Sequence, residues 1–136
     1  DWIVTHAIMK LAQSDAGTSR EKLRSFVAEK RERQPLGTAC AGCVFKNVGV
    51  DRFPSSTNIP IEFLAKGYIP ASYLIEHVNL KNHIIGRALI SPKHGNFIIN
   101  QGGAAAQDVE DLIALAKSRV KEKFGVDLEE EIQYIQ

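Results

Sequence analysis

The sequence lacks the features that mark several large classes of protein. It has only two cysteines among 136 residues, too few for the disulfide framework of a secreted scaffold. Its net charge of +1 lacks the basic excess of a dedicated nucleic-acid-binding protein. No apolar run reaches the roughly 18 residues that a membrane-spanning helix requires. The chain also starts without an initiator Met or a signal peptide, so we expect a piece of a longer protein.

What remains is the composition of a soluble globular protein. Hydrophobic residues make up 44% of the chain and charged residues 24%, proportions that exclude a disordered chain. Domains typically have about 100–200 residues, and a chain near this length buries roughly 70% of its unfolded surface. We therefore expect one domain with a hydrophobic core, or one domain with a small part of another.

The order of the periodic segments predicts an α+β fold. We expect a small two-layer domain in which a short, mainly antiparallel sheet is packed by helices. The predicted elements are a strand at 2–11, a helix at 18–33, an irregular stretch at 36–70, a short helix at 71–78, strands at 84–90 and 96–100, a helix at 107–124 and a last strand at 131–135.

Both long helices have terminal signals. Thr18 and Glu21 have the spacing of a capping box, which predicts that a helix begins at Thr18. Pro35 ends that helix, because proline cannot donate to the helical ladder. Gly125 follows the last apolar position of the second helix, where a left-handed C-cap is expected.

Cys40 and Cys43 form a Cys-x-x-Cys motif. A redox dithiol of this kind is expected between a strand and a helix start, whereas here a proline-terminated helix precedes the motif and strand-like residues follow it. A zinc site would need two further ligands at short spacing, and the sequence supplies none. The pattern favours a tight turn and leaves a thiol-redox role as an alternative.

Three other short segments contain candidate polar side chains. Lys46-Asn47 beside a glycine turn has the chemistry to bind phosphate oxygens, although the pair alone fits a solvated lysine and a turn asparagine better. The segment 91–96 fits a hairpin loop or a ligand-binding loop. Glutamates at 129–131 are expected to form a solvated acidic patch, in which Glu129 and Glu130 face solvent. If Glu131 begins the last strand, alternation would turn it inward, where burial favours a neutral carboxyl.

Five motifs follow one another in order between residues 34 and 132. They are Gln-Pro-Leu at 34–36 with Ala-Gly-Cys-Val-Phe-Lys-Asn at 41–47, Leu-Ile-Glu at 74–76 with Asn-Leu-Lys-Asn at 79–82, Ile-Gly-Arg-Ala at 85–88, Lys-His-Gly-Asn-Phe-Ile-Ile-Asn at 93–100, and Phe-Gly-Val-Asp-Leu-Glu-Glu-Glu-Ile at 124–132. In this order they resemble the C-terminal, substrate-binding domain of the UDP-N-acetylenolpyruvoylglucosamine reductase (MurB) family.

The resemblance implies a cytoplasmic oxidoreductase of peptidoglycan synthesis that depends on FAD and NADPH. Such an enzyme converts UDP-N-acetylglucosamine enolpyruvate to UDP-N-acetylmuramate. Residues 13–136 would form the substrate-binding domain, and residues 1–12 the terminal strand of a missing FAD-binding domain. This chain alone would then bind no FAD and be inactive, and no metal, nucleic acid or membrane is implied.

The resemblance also assigns site residues. Cys43 matches the family's proton-donating serine, and a thiol is a far stronger acid than an alcohol. Glu131 matches the glutamate that stabilises the intermediate, where a protonated carboxyl can donate a hydrogen bond. Asn47 and Lys46 fall where the family contacts the substrate diphosphate. Tyr68 is the candidate for a tyrosine that closes over the substrate.

The sequence departs from the family pattern in places. Val48 replaces the usual proline, Asn82 replaces a glycine, and Ala105 stands where threonine is common. Residues 49–70 are long, so Tyr73 is an alternative to Tyr68 as the closing tyrosine. Two alternative functions stay open, namely a non-enzymatic ligand- or partner-binding module derived from this domain and a Cys-x-x-Cys thiol-redox domain.

Overall fold

The structure is a computed structural model that describes residues 3–55 and 57–135. Its helices are α1 (Ala16–Arg33), α2 (Ile61–Lys66), α3 (Ala71–His77) and α4 (Ala106–Phe124), and a single 3-10 turn spans Val50–Arg52. Its strands are β1 (Cys40–Cys43), β2 (Val48–Gly49), β3 (Tyr68–Ile69), β4 (Ile84–Ile85), β5 (Ala88–Ile90) and β6 (Phe97–Asn100). None of the described helices has both the length and the apolar character that crossing a bilayer requires.

Four of the strands form one antiparallel sheet in the order β1-β6-β5-β4, and β2 pairs with β3 in a second, two-stranded sheet. Helix α4 packs on β4 and β5 and also contacts α3. This arrangement confirms the predicted α+β fold with a short antiparallel sheet covered by helices.

One face of the four-stranded sheet forms the core. Ala88, Ile90 and Ile98 lie on this face and are buried. The helices add the buried side chains of Leu74, Ile75, Leu112, Ile113, Ala116 and Val120. Alternate residues of a strand point to opposite faces, so Leu89 and Ile99 belong to the other face, where they are only partly buried. That second face is open in this chain, and β1 contributes both cysteines to it.

A bulge in β1 places the two cysteines on the same face. Cys40 pairs with Ile99 and Cys43 with Phe97, so β1 has one more residue than its partner between the two pairs. An inserted residue of this kind is a β-bulge. Gly42 lies in it with φ +89°, a left-handed conformation that glycine adopts without the penalty that a Cβ imposes.

We expect Gly42→Ala to lower the unfolding free energy by about 1–2 kcal/mol, the usual cost of a left-handed non-glycine residue. A Cβ at this position would meet no atom within 4 Å, so the loss is conformational and not steric. Gly37→Ala is the matched control, since Gly37 has φ +81° and equally open space. Denaturant unfolding should give similar losses for the two variants, and only Gly42→Ala should change the reactivity of the Cys43 thiol. An unchanged unfolding free energy in Gly42→Ala would contradict the bulge geometry.

Helix α1 begins earlier than predicted. Asp15 is its N-cap, and the Asp15 carboxylate accepts a hydrogen bond from the Thr18 backbone N–H at 2.8 Å. The predicted capping box at Thr18 and Glu21 is therefore wrong. Asp15, three residues before Thr18, is the N-cap and accepts from the Thr18 N–H, so Thr18 lies inside the helix. The end of the helix at Arg33, before Pro35, is as predicted.

The helices at 71–78 and 107–124 and the strand at 96–100 are confirmed to within a residue. Gly125 has φ +73° and caps α4 in the left-handed conformation, as predicted. The predicted single strand at 84–90 is instead the hairpin β4–β5, which turns at Gly86 (φ +54°). The stretch 36–70, expected to be irregular, holds β1, β2, α2 and β3.

The two terminal strands that we predicted are absent from the described residues. Residues 3–14 have no helix or strand and are exposed, and Trp2 lies outside the described residues. The predicted strand at 131–135 is reduced to an isolated bridge between Phe45 and Glu130. A β-strand needs a partner for its backbone groups, and no described strand lies beside residues 3–14. The assignment of residues 1–12 to the sheet of another domain stays a prediction.

Candidate functional site

The candidate site is built on one extended segment, residues 43–49. Cys43 ends β1, and β2 begins at Val48. Val44, Phe45 and Val48 are each at most 4% exposed, so they anchor the segment in the core. The polar side chains between these anchors are held close to the surface.

Asn96, which precedes β6, holds this segment in place. Its side-chain Oδ1 accepts from the Phe45 N–H at 2.9 Å, and its Nδ2 donates to the Phe45 carbonyl at 2.8 Å. Its own carbonyl accepts from the Val44 N–H at 2.9 Å. Nothing in the sequence indicates this role, because an asparagine in a Gly-Asn turn carries no signal of a contact 51 residues away.

Cys43 is a partly buried free thiol at the end of β1. Burial raises the pKa of Cys43, and the negative charge of Glu131 raises it further, while a hydrogen bond from Asn96 opposes both effects. The thiol is therefore protonated at neutral pH and suited to donating a proton. Cys40, on the same face, is exposed and also free.

Glu131 lies near the end of β1, but its side chain is not in the predicted environment. The Glu131 N–H donates to the Val44 carbonyl at 2.8 Å, which brings residue 131 next to the end of β1. The Glu131 side chain is exposed, so the predicted burial is wrong for this chain. The inward turn assumed a strand at 131–135, and the isolated bridge at Glu130 imposes no such alternation.

Glu130 anchors the C-terminal segment to α4. It forms an ion pair with Lys117 and accepts a hydrogen bond from the Tyr134 hydroxyl at 2.7 Å. The hydrogen bonds from Lys117 and Tyr134 lower the pKa of Glu130. The hydrogen bond to Glu130 raises the pKa of Tyr134 to about 12. We had expected Glu130 to be solvated. It is partly buried and fixes the position of Glu131, which follows it.

Lys46 is exposed and forms an ion pair with Glu129. Hydrogen bonding and charge from Lys46 lower the pKa of Glu129. Exposed ion pairs contribute little to stability, so an anionic ligand can compete with Glu129 for the ammonium group. Lys46 therefore remains available for phosphate binding.

Asn47 and Tyr68 lie around the two-stranded sheet. Asn47 Oδ1 accepts from the Ala71 N–H at 3.3 Å, which leaves its amide NH2 as a donor for a ligand. Tyr68 pairs with Gly49 across the sheet and is 41% exposed. The alternative tyrosine, Tyr73, has its ring centroid 4.7 Å from that of Phe63 and 3.8 Å from that of His77.

The site thus brings a protonated thiol next to a carboxylate, with an ammonium and an amide three and four residues further along the same segment. This set of groups can donate a proton and bind an anionic, oxygen-rich ligand. Among the residues that the structure describes, no cluster of three or more His, Cys, Asp or Glu side chains could hold a metal ion.

The junction between β6 and α4 is the described segment most similar to a nucleotide-phosphate loop, since glycines there precede a helix. Three of its backbone donors are already used. Asn100 Oδ1 accepts from the N–H groups of Gly102 (2.8 Å) and Ala104 (3.0 Å). Asp108 Oδ2 accepts from the Ala105 N–H at 3.1 Å and places negative charge where the helix would attract phosphate. This junction does not fit a flavin diphosphate.

Comparison with known proteins gives one consistent family. The profile described as "UDP-N-acetylenolpyruvoylglucosamine reductase, C-terminal domain" matches residues 34–135. The UDP-N-acetylenolpyruvoylglucosamine reductase of Syntrophobacter fumaroxidans is 37% identical over 134 residues, which cover 98% of this chain and 34% of that protein. Reductase 1 of Bacillus thuringiensis subsp. konkukian is 44% identical over 120 residues, covering 85% of this chain and 34% of that protein.

A solved structure agrees with these relatives. The crystal structure of the Thermus caldophilus enzyme (MurB) matches with a TM-score of 0.51 and 35% identity, over 85% of this chain and 35% of that one. The chain therefore spans about a third of the length of these proteins. The profile match over most of the sequence, the ordered motifs and the shared fold show that the chain belongs to the UDP-N-acetylenolpyruvoylglucosamine reductase family, as its C-terminal domain.

Proposed function

We propose that this chain is the substrate-binding domain of a flavin-dependent reductase that converts UDP-N-acetylglucosamine enolpyruvate to UDP-N-acetylmuramate. The observation that carries the proposal is Cys43, a protonated, partly buried thiol beside Glu131. It lies in the motif that matches the proton-donating loop of the family.

Reduction of the enolpyruvyl double bond needs one hydride and one proton. FAD and NADPH, held by parts of the intact protein outside this chain, supply the hydride. Hydride addition leaves an enolate-like charge on the substrate carboxylate, and the adjacent carbon then takes the proton. Cys43 Sγ–H is the donor, and the resulting thiolate regains its proton from solvent. The raised pKa of Cys43 keeps this thiol protonated at neutral pH, so it can act as the proton donor.

The other site residues bind and stabilise the substrate. In its protonated form, Glu131 would donate a hydrogen bond to the developing carboxylate charge once the substrate and the FAD-binding domain cover this face. Asn47 and Lys46 bind the diphosphate through an amide donor and an ammonium charge. Tyr68, half-exposed beside this segment, closes over the substrate.

The same proposal accounts for the open surfaces of the chain. The second face of the sheet exposes Ile84 (52%), and α1 exposes Leu23 (62%) and Phe26 (63%). Apolar surface of this kind usually marks an interface. The missing FAD-binding domain is the partner, with residues 1–12 as its terminal strand and residues 13–136 as the substrate-binding domain. We place the intact enzyme in the cytoplasm.

The thiol-redox alternative is disfavoured by the raised pKa of Cys43, since the thiolate is the reactive form. The non-enzymatic alternative is tested with the intact protein. Oxidation of NADPH that depends on added UDP-N-acetylglucosamine enolpyruvate supports the reductase. Binding of this substrate without NADPH oxidation would favour a binding module.

We expect the 136-residue chain to purify colourless and to bind no FAD, because its strand-to-helix junction at β6–α4 is filled by Asn100 and Asp108. The visible absorbance spectrum after incubation with FAD and gel filtration is the measurement. The intact protein, treated identically, is the control and should retain flavin. Stoichiometric flavin on the chain alone would contradict this prediction.

A further inference from the structure

We propose that Asn96 is a positioning residue, which fixes the backbone that follows Cys43 in the geometry needed for proton transfer. The inference rests on the proposed function, in which Cys43 is the donor. It is carried by hydrogen bonds between two segments that are far apart in sequence, and by the burial of Asn96 at 3% exposure.

The contacts lie where regular strand pairing stops. β1 ends at Cys43, so the backbone groups of the next two residues need other partners. Asn96 supplies them, accepting from the N–H groups of Val44 and Phe45 and donating to the Phe45 carbonyl, at 2.8 to 2.9 Å. Buried polar groups left without such partners are costly, so the backbone has one favourable arrangement at this point.

The amide of Asn96 also acts on the thiol itself. A side-chain amide has two N–H donors, and one of them serves the Phe45 carbonyl. A hydrogen bond from Asn96 to Cys43 lowers the pKa of Cys43, against the effects of burial and of Glu131.

Asn96 is itself held rigidly. The buried Ser91 hydroxyl accepts from the N–H groups of Lys93 (3.2 Å) and His94 (3.3 Å), which closes the loop before β6. The Asn96 N–H donates to Nδ1 of His94 at 3.3 Å, and burial lowers the pKa of His94, which keeps this nitrogen free to accept. Gly95 packs against α3, where a Cβ would lie 3.1 Å from the Ser72 carbonyl oxygen.

Asn96→Asp tests the role with little change in shape. The variant keeps the Oδ1 acceptor for the Phe45 N–H but replaces the NH2 donor by a carboxylate oxygen. Asn100→Asp is the matched control, because Asn100 uses only Oδ1 as an acceptor and lies at the other end of β6. Two other titratable groups lie near Cys43. They are Glu131, whose charge acts on the thiol from another segment, and Cys40, which lies on the same strand as Cys43. Neither residue is changed in the two variants.

The measurement is the pH dependence of Cys43 alkylation by iodoacetamide in the 136-residue chain. Peptide mass spectrometry separates Cys43 from Cys40. In Asn96→Asp we expect the onset of Cys43 alkylation to move to higher pH, because the variant loses the amide donor that lowers the pKa of Cys43. Asn100→Asp should follow the parent profile. A folded Asn96→Asp with the parent profile, or an equal shift in Asn100→Asp, would overturn the positioning role.

Hydrogen exchange in the unmodified chain gives a second measurement if Asn96→Asp does not fold. The Val44 and Phe45 amides should be protected by Asn96, whereas the amide of Asn47, for which no acceptor lies among the described residues, should exchange rapidly. Equal exchange at these three amides would overturn the proposal. Neither measurement needs turnover, so such a result leaves the proposed reaction standing. That reaction fails instead if the unmodified intact protein does not reduce the substrate.

Discussion

Cys43→Ala in the intact reductase should slow the reoxidation of reduced flavin by substrate by about 10²–10⁴-fold, the usual contribution of a positioned general acid. Reduction of the flavin by NADPH should be unchanged, because that half-reaction needs no proton from Cys43. Stopped-flow absorbance of the flavin separates the two half-reactions. An equal loss in both would assign a structural role to Cys43.

Two variants sharpen this test. Cys40→Ala removes the other thiol of the same strand and face and should leave both half-reactions unchanged. Cys43→Ser keeps a proton donor and should retain much of the activity. If Cys40→Ala slowed reoxidation as much as Cys43→Ala, the dithiol alternative would be favoured.

The pH profile gives a further distinction between the thiol and the alcohol. The protonated thiol is the active form, so substrate reduction should be lost as the pH rises through the pKa of Cys43. Burial raises this pKa, which moves the loss to more alkaline pH. An alcohol does not ionise in this range, so Cys43→Ser should lack the alkaline limb. Identical profiles for the two enzymes would assign the limb to another group.

Glu131→Ala should lower the rate of substrate reduction by about 10²–10³-fold, the cost of removing one hydrogen-bond donor to a developing oxyanion. Glu131→Gln keeps a donor of similar shape and should lose less. A lower rate of substrate reduction in Glu131→Ala than in Glu131→Gln would indicate hydrogen-bond donation, because the loss of a charge alone would affect both variants equally. Rapid reoxidation of reduced flavin in Glu131→Ala would contradict a role for this residue.

Glu129→Gln is the matched control for Glu131, because both side chains are exposed and lie two residues apart. At saturating substrate it should be nearly silent in both half-reactions. Glu130 is unsuitable as a control, because it is fixed by Lys117 and Tyr134. A Glu130 variant would loosen the segment that carries Glu131 and would report on structure and chemistry together.

The sequence by itself determined the family, the α+β class and the long helix α4. These follow from local patterns. The apolar spacing of residues 107–124, Gly125 at the C-cap and the ordered motifs are readable without any knowledge of distant contacts. The same local signals located Cys43, Lys46 and Asn47 on one short segment.

Only the tertiary structure decided how that segment is held. The partners of residues 44 and 45 are Asn96 and the segment 130–131, which are about 50 and 85 residues away along the chain. A local sequence pattern does not predict such contacts, because burial and hydrogen bonding between distant segments depend on how the elements pack.

The tertiary structure likewise decided the environments of Glu130 and Glu131. Strand alternation predicted an inward Glu131 and a solvated Glu130, and the structure reverses both. The reason is that a strand alternates only while a neighbour pairs with it. After Phe45 the pairing ends at one bridge, so the ion pair of Glu130 with Lys117 on α4, rather than strand periodicity, decides which side chain turns toward the protein.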